Sequence, residues 1–325
     1  MIKNIGIITS GGDSPGMNAA IKTIVNYSNN NNINCYGIKY GYEGLIKGNF
    51  KKLSNFIVNN ILSFGGTILG TSRSEKFKTK IGRKKAYNNI IKNKIDGLIV
   101  IGGDGTFTGA KKLYKEYKVP IIGIPGTIDN DIYGTDYTIG YDTSLNTIIN
   151  NIEKIKDTAY SNNKLFIIEV MGKGLGFLAL NSGISIGALD IFIPNNKKYN
   201  LKNIYNILKN WNINKYSNII IVAENKKIGD SAKTIYKLIK QKFKNIDIRY
   251  NILGHVQRGG SPTYFDRILA INFGLESIKN LIKLKTNIVI GINNNKIIHI
   301  PFNESIKKKK KKFDKNIINI YDNIY

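Results

Sequence analysis

The sequence predicts an α/β protein with mainly parallel sheets flanked by helices. Three observations predict it. Apolar runs of strand length alternate with longer helical patterns along the whole chain. Several of those runs are apolar at every position, as a strand covered on both faces requires. Glycine-rich loops follow many of the runs directly, where a parallel strand hands over to a helix.

Residues 5–9 read as a first strand, and Ser10-Gly11-Gly12-Asp13-Ser14-Pro15-Gly16 follows, then a helical pattern over 17–27. Strand, glycine loop and helix in that order present backbone N–H groups to phosphate. The loop matches neither the P-loop pattern nor GxGxxG. Taken alone, a tight turn needing positive φ accounts for it equally well. Residues 34–40 read as a second strand, and Gly41-Tyr42-Glu43-Gly44 as a turn. A polar stretch over 65–80 carries Arg73 and Ser74; by itself a loop arginine is a solvated charge. A helix over 83–93 leads to a strand at 98–101.

Gly102-Gly103-Asp104-Gly105-Thr106 then opens a helix over 107–117. Glycines there let a triphosphate approach the backbone, and Asp104 is a hard oxygen ligand suited to Mg²⁺ beside phosphates. A strand at 119–124 runs into Pro125-Gly126-Thr127-Ile128-Asp129-Asn130-Asp131. The C-terminal end of a parallel strand is where open α/β sheets place their chemistry. The turn alone would also accept Asp129 and Asp131 as caps.

The second half continues the alternation. Helices are expected over 141–160, from 176, and over 201–211, 231–243 and 263–283, with strands at 165–171, 189–193, 219–223, 247–253 and, last, 288–292. Glu224 ends one strand. His255 and Arg258 share the loop Gly254-His255-Val256-Gln257-Arg258-Gly259-Gly260-Ser261-Pro262, and such donors suit a phosphomonoester. A closing helix and tail follow.

The chain has 325 residues, 42% hydrophobic, enough for more than one lobe. One cysteine, Cys35, excludes an intrachain disulfide and fits a reducing, cytoplasmic setting. No signal-peptide pattern or membrane-length apolar run is visible. The formal net charge of +27 raises nucleic-acid binding as an alternative. Lysine, asparagine and isoleucine are over-used throughout, as in the run 307–312, so compositional bias is the plainer account. No specific nucleic-acid partner and no membrane are expected.

Together the strand-end loops suggest phosphoryl transfer from a nucleotide. In-line transfer needs phosphate positioning, a metal, a cation and a base. The glycine loops, Asp104, Arg73 and Asp129 fill those parts.

At these residues the chain resembles ATP-dependent 6-phosphofructokinases of the bacterial type. The likeness rests on Thr9-Ser10-Gly11-Gly12-Asp13 with Pro15-Gly16-Met17-Asn18, on residues 102–106 and 125–131, on Glu169-Val170-Met171-Gly172, and on residues 253–262. It implies two Rossmann-like lobes: 1–139 plus 254–305 binding ATP, and 140–253 plus 306–325 binding the sugar phosphate. It implies that Gly12, Arg73, Ser74, Gly103, Asp104, Gly105 and Thr106 hold ATP, with Asp104 serving Mg²⁺. Asp129 would take the proton of the 1-hydroxyl of fructose 6-phosphate, beside Thr127. Arg73 and Lys173 would steady the transferring group. Met171, Gly172 and Glu224 would bind the sugar, and His255 and Arg258 its 6-phosphate. Lys164 and Arg249 would reach that phosphate from a neighbouring subunit of a homotetramer.

Pyrophosphate-using relatives typically carry Asp at the place of Gly105 and Lys at that of Gly126, so two glycines favour ATP. Lys164 and Lys173 stand where bacterial relatives usually have arginine, which loses the planar fork. Asn26, Asn55 and Leu189 replace charged residues of the family's effector pocket, so weak allosteric control is expected. NAD and diacylglycerol kinases share the Gly-Gly-Asp-Gly-Thr loop but lack the other motifs. A decayed kinase is opposed by the intact Asp104, Asp129 and Arg73.

Overall fold

Strands and helices alternate in the computed structural model, which describes residues 2–173, 175–194, 200–209, 217–225, 232–306 and 312–324. In chain order the elements begin β1 (Asn4–Ser10), α1 (Met17–Asn30), β2 (Asn34–Ile38), α2 (Gly41–Lys47), β3 (Phe50–Leu53), α3 (Asn55–Val58), α4 (Lys80–Lys92), β4 (Gly97–Gly102), α5 (Asp104–Tyr117) and β5 (Ile121–Pro125). There follow α6 (Tyr141–Ser161), β6 (Leu165–Val170), α7 (Phe177–Ser185), β7 (Asp190–Phe192), α8 (Leu201–Lys209), β8 (Ile219–Ala223), α9 (Ala232–Lys242) and β9 (Ile248–Ile252). The chain ends with α10 (Tyr264–Ile282), β10 (Ile288–Asn293), β11 (Lys296–Pro301), α11 (Phe302–Ser305) and α12 (Lys315–Ile324). Gly174, residues 210–211 at the end of the helix expected over 201–211, Ser231 and the lysines at 307–311 lie outside the described residues.

The chain divides into two units, Met1–Thr143 with Arg258–Lys311, and Ser144–Gln257 with Lys312–Tyr325. The first holds a seven-stranded sheet in the order β11-β10-β5-β4-β1-β2-β3. Its five central strands are parallel, and β3 and β11 join the edges antiparallel. Side chains alternate between the faces of a strand. Ile99 and Ile101 of β4 therefore enter one core, with Ile21 and Ile24 of α1 and Phe273 of α10. Leu98 and Val100 enter the other, with Leu45, Ile90, Phe107 and Leu113. Apolar residues on both faces are what a sheet covered by two helical layers demands.

The second unit has a four-stranded parallel sheet, β7-β8-β6-β9. Leu165, Ile167, Ile220 and Val222 pack on Ile204 and Leu208 of α8 and on Ile235 and Ile239 of α9. β9 is an edge strand, and four of its five residues are exposed.

Three expectations need correction. The stretch 41–44 is not a turn but opens α2. Strand β3 was not expected. Residues 288–292 are not the last strand, because β11 follows them. Among the described residues no helix is long and apolar enough to cross a membrane.

Candidate active site

The site of the first unit is built by sheet register. Ser10 at the end of β1 pairs with Gly102 at the end of β4, and Gly102 pairs with Pro125 at the end of β5. The loops that leave these ends are therefore neighbours along one sheet edge.

Two glycines shape the first loop. Gly11 and Gly16 both have positive φ, 89° and 101°, which glycine adopts without strain. A Cβ at Gly12 would stand 2.1 Å from Arg258 Nη1, so that guanidinium lies directly over the loop. Arg258 Nη1 is also 3.9 Å from Asp13 Oδ1. Its Nε is buried and has no hydrogen-bond partner among the described residues. A buried unsatisfied donor over a glycine loop fits an anionic ligand. Asn18, which the motif contained without an assigned role, anchors the facing segment: its Nδ2 donates to the Phe64 carbonyl at 3.1 Å and its Oδ1 accepts from the Ile68 N–H at 2.8 Å.

The second loop begins α5. Asp104 and Gly105 are exposed in its first turn. A Cβ at Gly105 would meet nothing within 4 Å. Thr106, expected at the nucleotide, turns inward. Its hydroxyl donates to the Ser10 carbonyl at 3.0 Å, and its carbonyl accepts from the Tyr42 hydroxyl at 2.6 Å.

The third loop carries the buried pair Thr127 and Asp129. The Asp129 N–H donates to Thr127 Oγ1 at 3.3 Å, and that hydroxyl lies 3.4 Å from Asp129 Oδ2. Thr138 donates to the Thr127 carbonyl at 2.5 Å. Asn130 adopts a left-handed φ of 49°, which lets the chain turn between the two aspartates. Gly126 is a packing glycine: a Cβ there would meet Met17 and Ile101 side chains at 2.9 and 3.0 Å. Gly126 thus faces the core, whereas the space beside Gly105 is open.

Arg73 is exposed. Its neighbour Ser74 donates to Glu43 Oε2 at 2.7 Å and accepts from the Phe77 N–H at 3.2 Å, so its hydroxyl is committed within the protein. That bond from Ser74 holds the Glu43 carboxyl below its ordinary range.

The second unit gathers a separate set. Gln257, fully buried, accepts from the Met171 N–H at 3.0 Å and donates to the Gly254 carbonyl at 2.8 Å. It fixes the turn bearing the exposed His255 to the loop after β6. Gly172 and Lys173 both have positive φ, 129° and 51°. The Glu224 N–H donates to the Val170 carbonyl at 2.7 Å, which seats Glu224 beside that loop. Glu169 accepts from the Ala232 N–H at 2.9 Å. Burial pushes its carboxyl up, and the charge of Glu224 adds to the shift.

Lys164 and Arg249 do not join that set. Lys164 precedes β6 and Met171 follows it, so they stand at opposite ends of a six-residue strand, about 20 Å apart at the strand rise per residue. Arg249 pairs with Phe166 near the same far end, and its Nη1 is 3.0 Å from Asp247 Oδ1.

Such an edge, with glycine and aspartate loops at the ends of three parallel strands, is that of a doubly wound α/β protein, which takes its ligand at the carboxyl ends of the strands. The phosphofructokinase family profile matches residues 4–281. The chain is 47% identical over 310 residues to an ATP-dependent 6-phosphofructokinase of Cytophaga hutchinsonii, covering 95% of this chain and 94% of that one. It is 46% identical, with the same coverage, to ATP-dependent 6-phosphofructokinase 2 of Bacteroides thetaiotaomicron. The structure of phosphofructokinase from Saccharomyces cerevisiae superposes with a TM-score of 0.86 at 34% identity, over 99% of this chain and 50% of that one. A pyrophosphate-dependent phosphofructokinase from Nitrosospira multiformis has a TM-score of 0.86 at 16% identity, covering 97% and 86%, a likeness of fold. The chain belongs to the phosphofructokinase family.

Proposed function

We propose that the chain is an ATP-dependent 6-phosphofructokinase, transferring the γ-phosphoryl group of ATP to the 1-hydroxyl of fructose 6-phosphate. The observation that carries it is the register of β1, β4 and β5, which brings the glycine loops and Asp129 to one sheet edge in a chain close to relatives of that name. The pyrophosphate reading is the weaker one: structures so titled share 16–18% identity with this chain.

In this reading the first unit is the ATP lobe. Gly103 and Gly105 leave the backbone open to phosphates and Arg73 supplies positive charge there, while Arg258, expected at the sugar 6-phosphate, lies over Gly12 and is reassigned to the phosphates of ATP. Asp104 would hold Mg²⁺, which neutralises charge on the phosphates when bound. Asp129 accepts the proton of the attacking hydroxyl, and the Thr127 hydroxyl orients it. The second unit is the sugar-phosphate lobe, with Met171, Gly172, Lys173, Glu224 and His255 as its contacts. Lys164 and Arg249 act on a neighbouring copy. The exposed edge strand β9, with Arg249, Tyr250 and Ile252 open to solvent, supports assembly into a homo-oligomer, and a homotetramer is proposed. A cytoplasmic location goes with that role.

The test is direct. The purified full chain, given ATP, Mg²⁺ and fructose 6-phosphate, should release ADP and fructose 1,6-bisphosphate in equal amounts. ADP release independent of the sugar would contradict the assignment.

A further inference from the structure

Arg73 is presented on a surface loop, and a cation that must meet a transferring phosphoryl group needs a fixed position. Both flanks of the loop are tied down. On the N-terminal side Thr9 Oγ1 donates to the Gly70 carbonyl at 2.9 Å, and Ser72 Oγ donates to the Tyr40 carbonyl at 2.7 Å. On the C-terminal side Ser74 is bonded to Glu43, as described, and the chain turns through a short 3-10 helix, Lys76–Lys78.

The far end of that turn meets Arg83, which is 4% exposed. Four of its five guanidinium N–H groups bond within the protein. Nη1 donates to the carbonyls of Phe77 and Lys78 at 3.0 and 2.7 Å. Nε and Nη2 grip both oxygens of Glu116, each at 2.7 Å. Glu116 belongs to α5, the helix that starts with Asp104. A second tie runs in parallel. The Phe77 ring stacks on Tyr42 at 4.0 Å, and Tyr42 donates to the Thr106 carbonyl in the first turn of α5. Gly109 of α5 leaves room for both rings, since a Cβ there would stand 2.8 and 3.1 Å from them.

We propose that Arg83 and Glu116 form a positioning clamp. It fixes the segment bearing Arg73 to the helix bearing Asp104, and so sets where Arg73 stands during transfer. The inference rests on the assignment of Arg73 and Asp104 to phosphoryl transfer. A lysine at 83 keeps the charge but cannot make a bidentate grip and reach two carbonyls together.

Two readouts on Arg83→Lys test it. The first is hydrogen exchange of the backbone over 71–79 in the unliganded full chain, independent of any activity. The clamp predicts faster exchange there, with exchange in β1 and β4 unchanged. The second is kcat with ATP, measured for Arg83→Lys alone, Arg73→Ala alone and both together. Acting through Arg73, Arg83→Lys should lower kcat about tenfold in the parent and less than twofold in the Arg73→Ala background. Equal factors in both backgrounds, or unchanged exchange over 71–79, would overturn the clamp. A parent without turnover would sink the functional assignment, and the exchange result alone would then decide the clamp. Glu116→Gln retains a planar acceptor oxygen and should show a smaller change in both readouts.

Discussion

Thr127 and Asp129 hold each other: one hydroxyl takes the backbone N–H of Asp129 at 3.3 Å and lies 3.4 Å from its Oδ2. Such a hydroxyl fixes both the turn and the carboxylate at its end. Thr127→Val is expected to lower kcat about tenfold, equivalent to about 1.4 kcal/mol and within the range of one lost hydrogen bond. Thr127→Ser should stay within about twofold, since the hydroxyl is kept. Steady-state rates with saturating ATP check this, and a loss in Thr127→Ser matching that in Thr127→Val would point to the methyl group instead.

The two glycines that favour ATP, Gly105 and Gly126, should separate experimentally. Gly105 has open space around its Cβ position, so Gly105→Asp should leave the melting temperature unchanged and raise KM for ATP more than tenfold, by like-charge repulsion and steric block. Gly126 faces Met17 and Ile101, so Gly126→Ala should cost about 1–3 kcal/mol of stability through overpacking. Thermal melts beside nucleotide titrations distinguish the two.

Much of this was legible in the sequence, for stated reasons. The central strands are apolar on both faces, so runs such as Leu98-Ile99-Val100-Ile101 announce themselves. The strand-end loops announce themselves through glycine and aspartate. What escaped lies at the edges. Phe50-Lys51-Lys52-Leu53 and β11 are edge strands whose outward residues are polar or exposed, and lysine there reads as loop. Helix α2 was hidden by Gly41 and Gly44, which normally argue against helix. Gly44 is there because a Cβ would stand 1.6 Å from the Lys39 carbonyl oxygen. The inward turn of Thr106, the Ser74–Glu43 bond and the seat of Arg258 over Gly12 depend on side-chain directions that spacing does not encode. Gln257 and Asp266, both fully buried, carried no signal beyond their place in or after a motif.

Gln257 should matter to the sugar side alone. Its replacement by Leu leaves the Met171 N–H and the Gly254 carbonyl unsatisfied, at about 1–3 kcal/mol. KM for fructose 6-phosphate is expected to rise several-fold while KM for ATP holds, because the bond fixes loops of the second unit. Parallel changes in both constants would show a general loosening of the fold.

Asp266 gives a pH signature. It is buried at the start of α10 and accepts from the Gly140 and Thr143 N–H groups, each at 2.8 Å, and from the Thr143 hydroxyl at 2.5 Å. Burial is the largest effect and pushes its carboxyl up to about 6, from an ordinary 3.8. Between those values the folded chain binds a proton that the unfolded chain has lost. Stability from this group is therefore full below about pH 4 and lost as pH rises through about 6, a swing of order 3 kcal/mol. Asp266→Asn removes that slope. The stability advantage of the parent over Asp266→Asn should shrink as pH rises from 4 to 7, read from urea midpoints at each pH. An advantage that grows over the same range would show that the hydrogen bonds to the carboxylate outweigh its burial.

The most direct test of the central assignment is the initial rate with fructose 6-phosphate and Mg²⁺, comparing ATP with pyrophosphate as donor, for the parent and Asp129→Asn. The expected result is turnover with ATP, none with pyrophosphate, and a fall in kcat of about 10²–10⁴-fold in Asp129→Asn, the range for a lost general base. Nucleotide affinity should change little, because Asp129 is assigned to the acceptor. Turnover with pyrophosphate alone, or an Asp129→Asn variant as fast as the parent, would contradict the assignment of donor or of base.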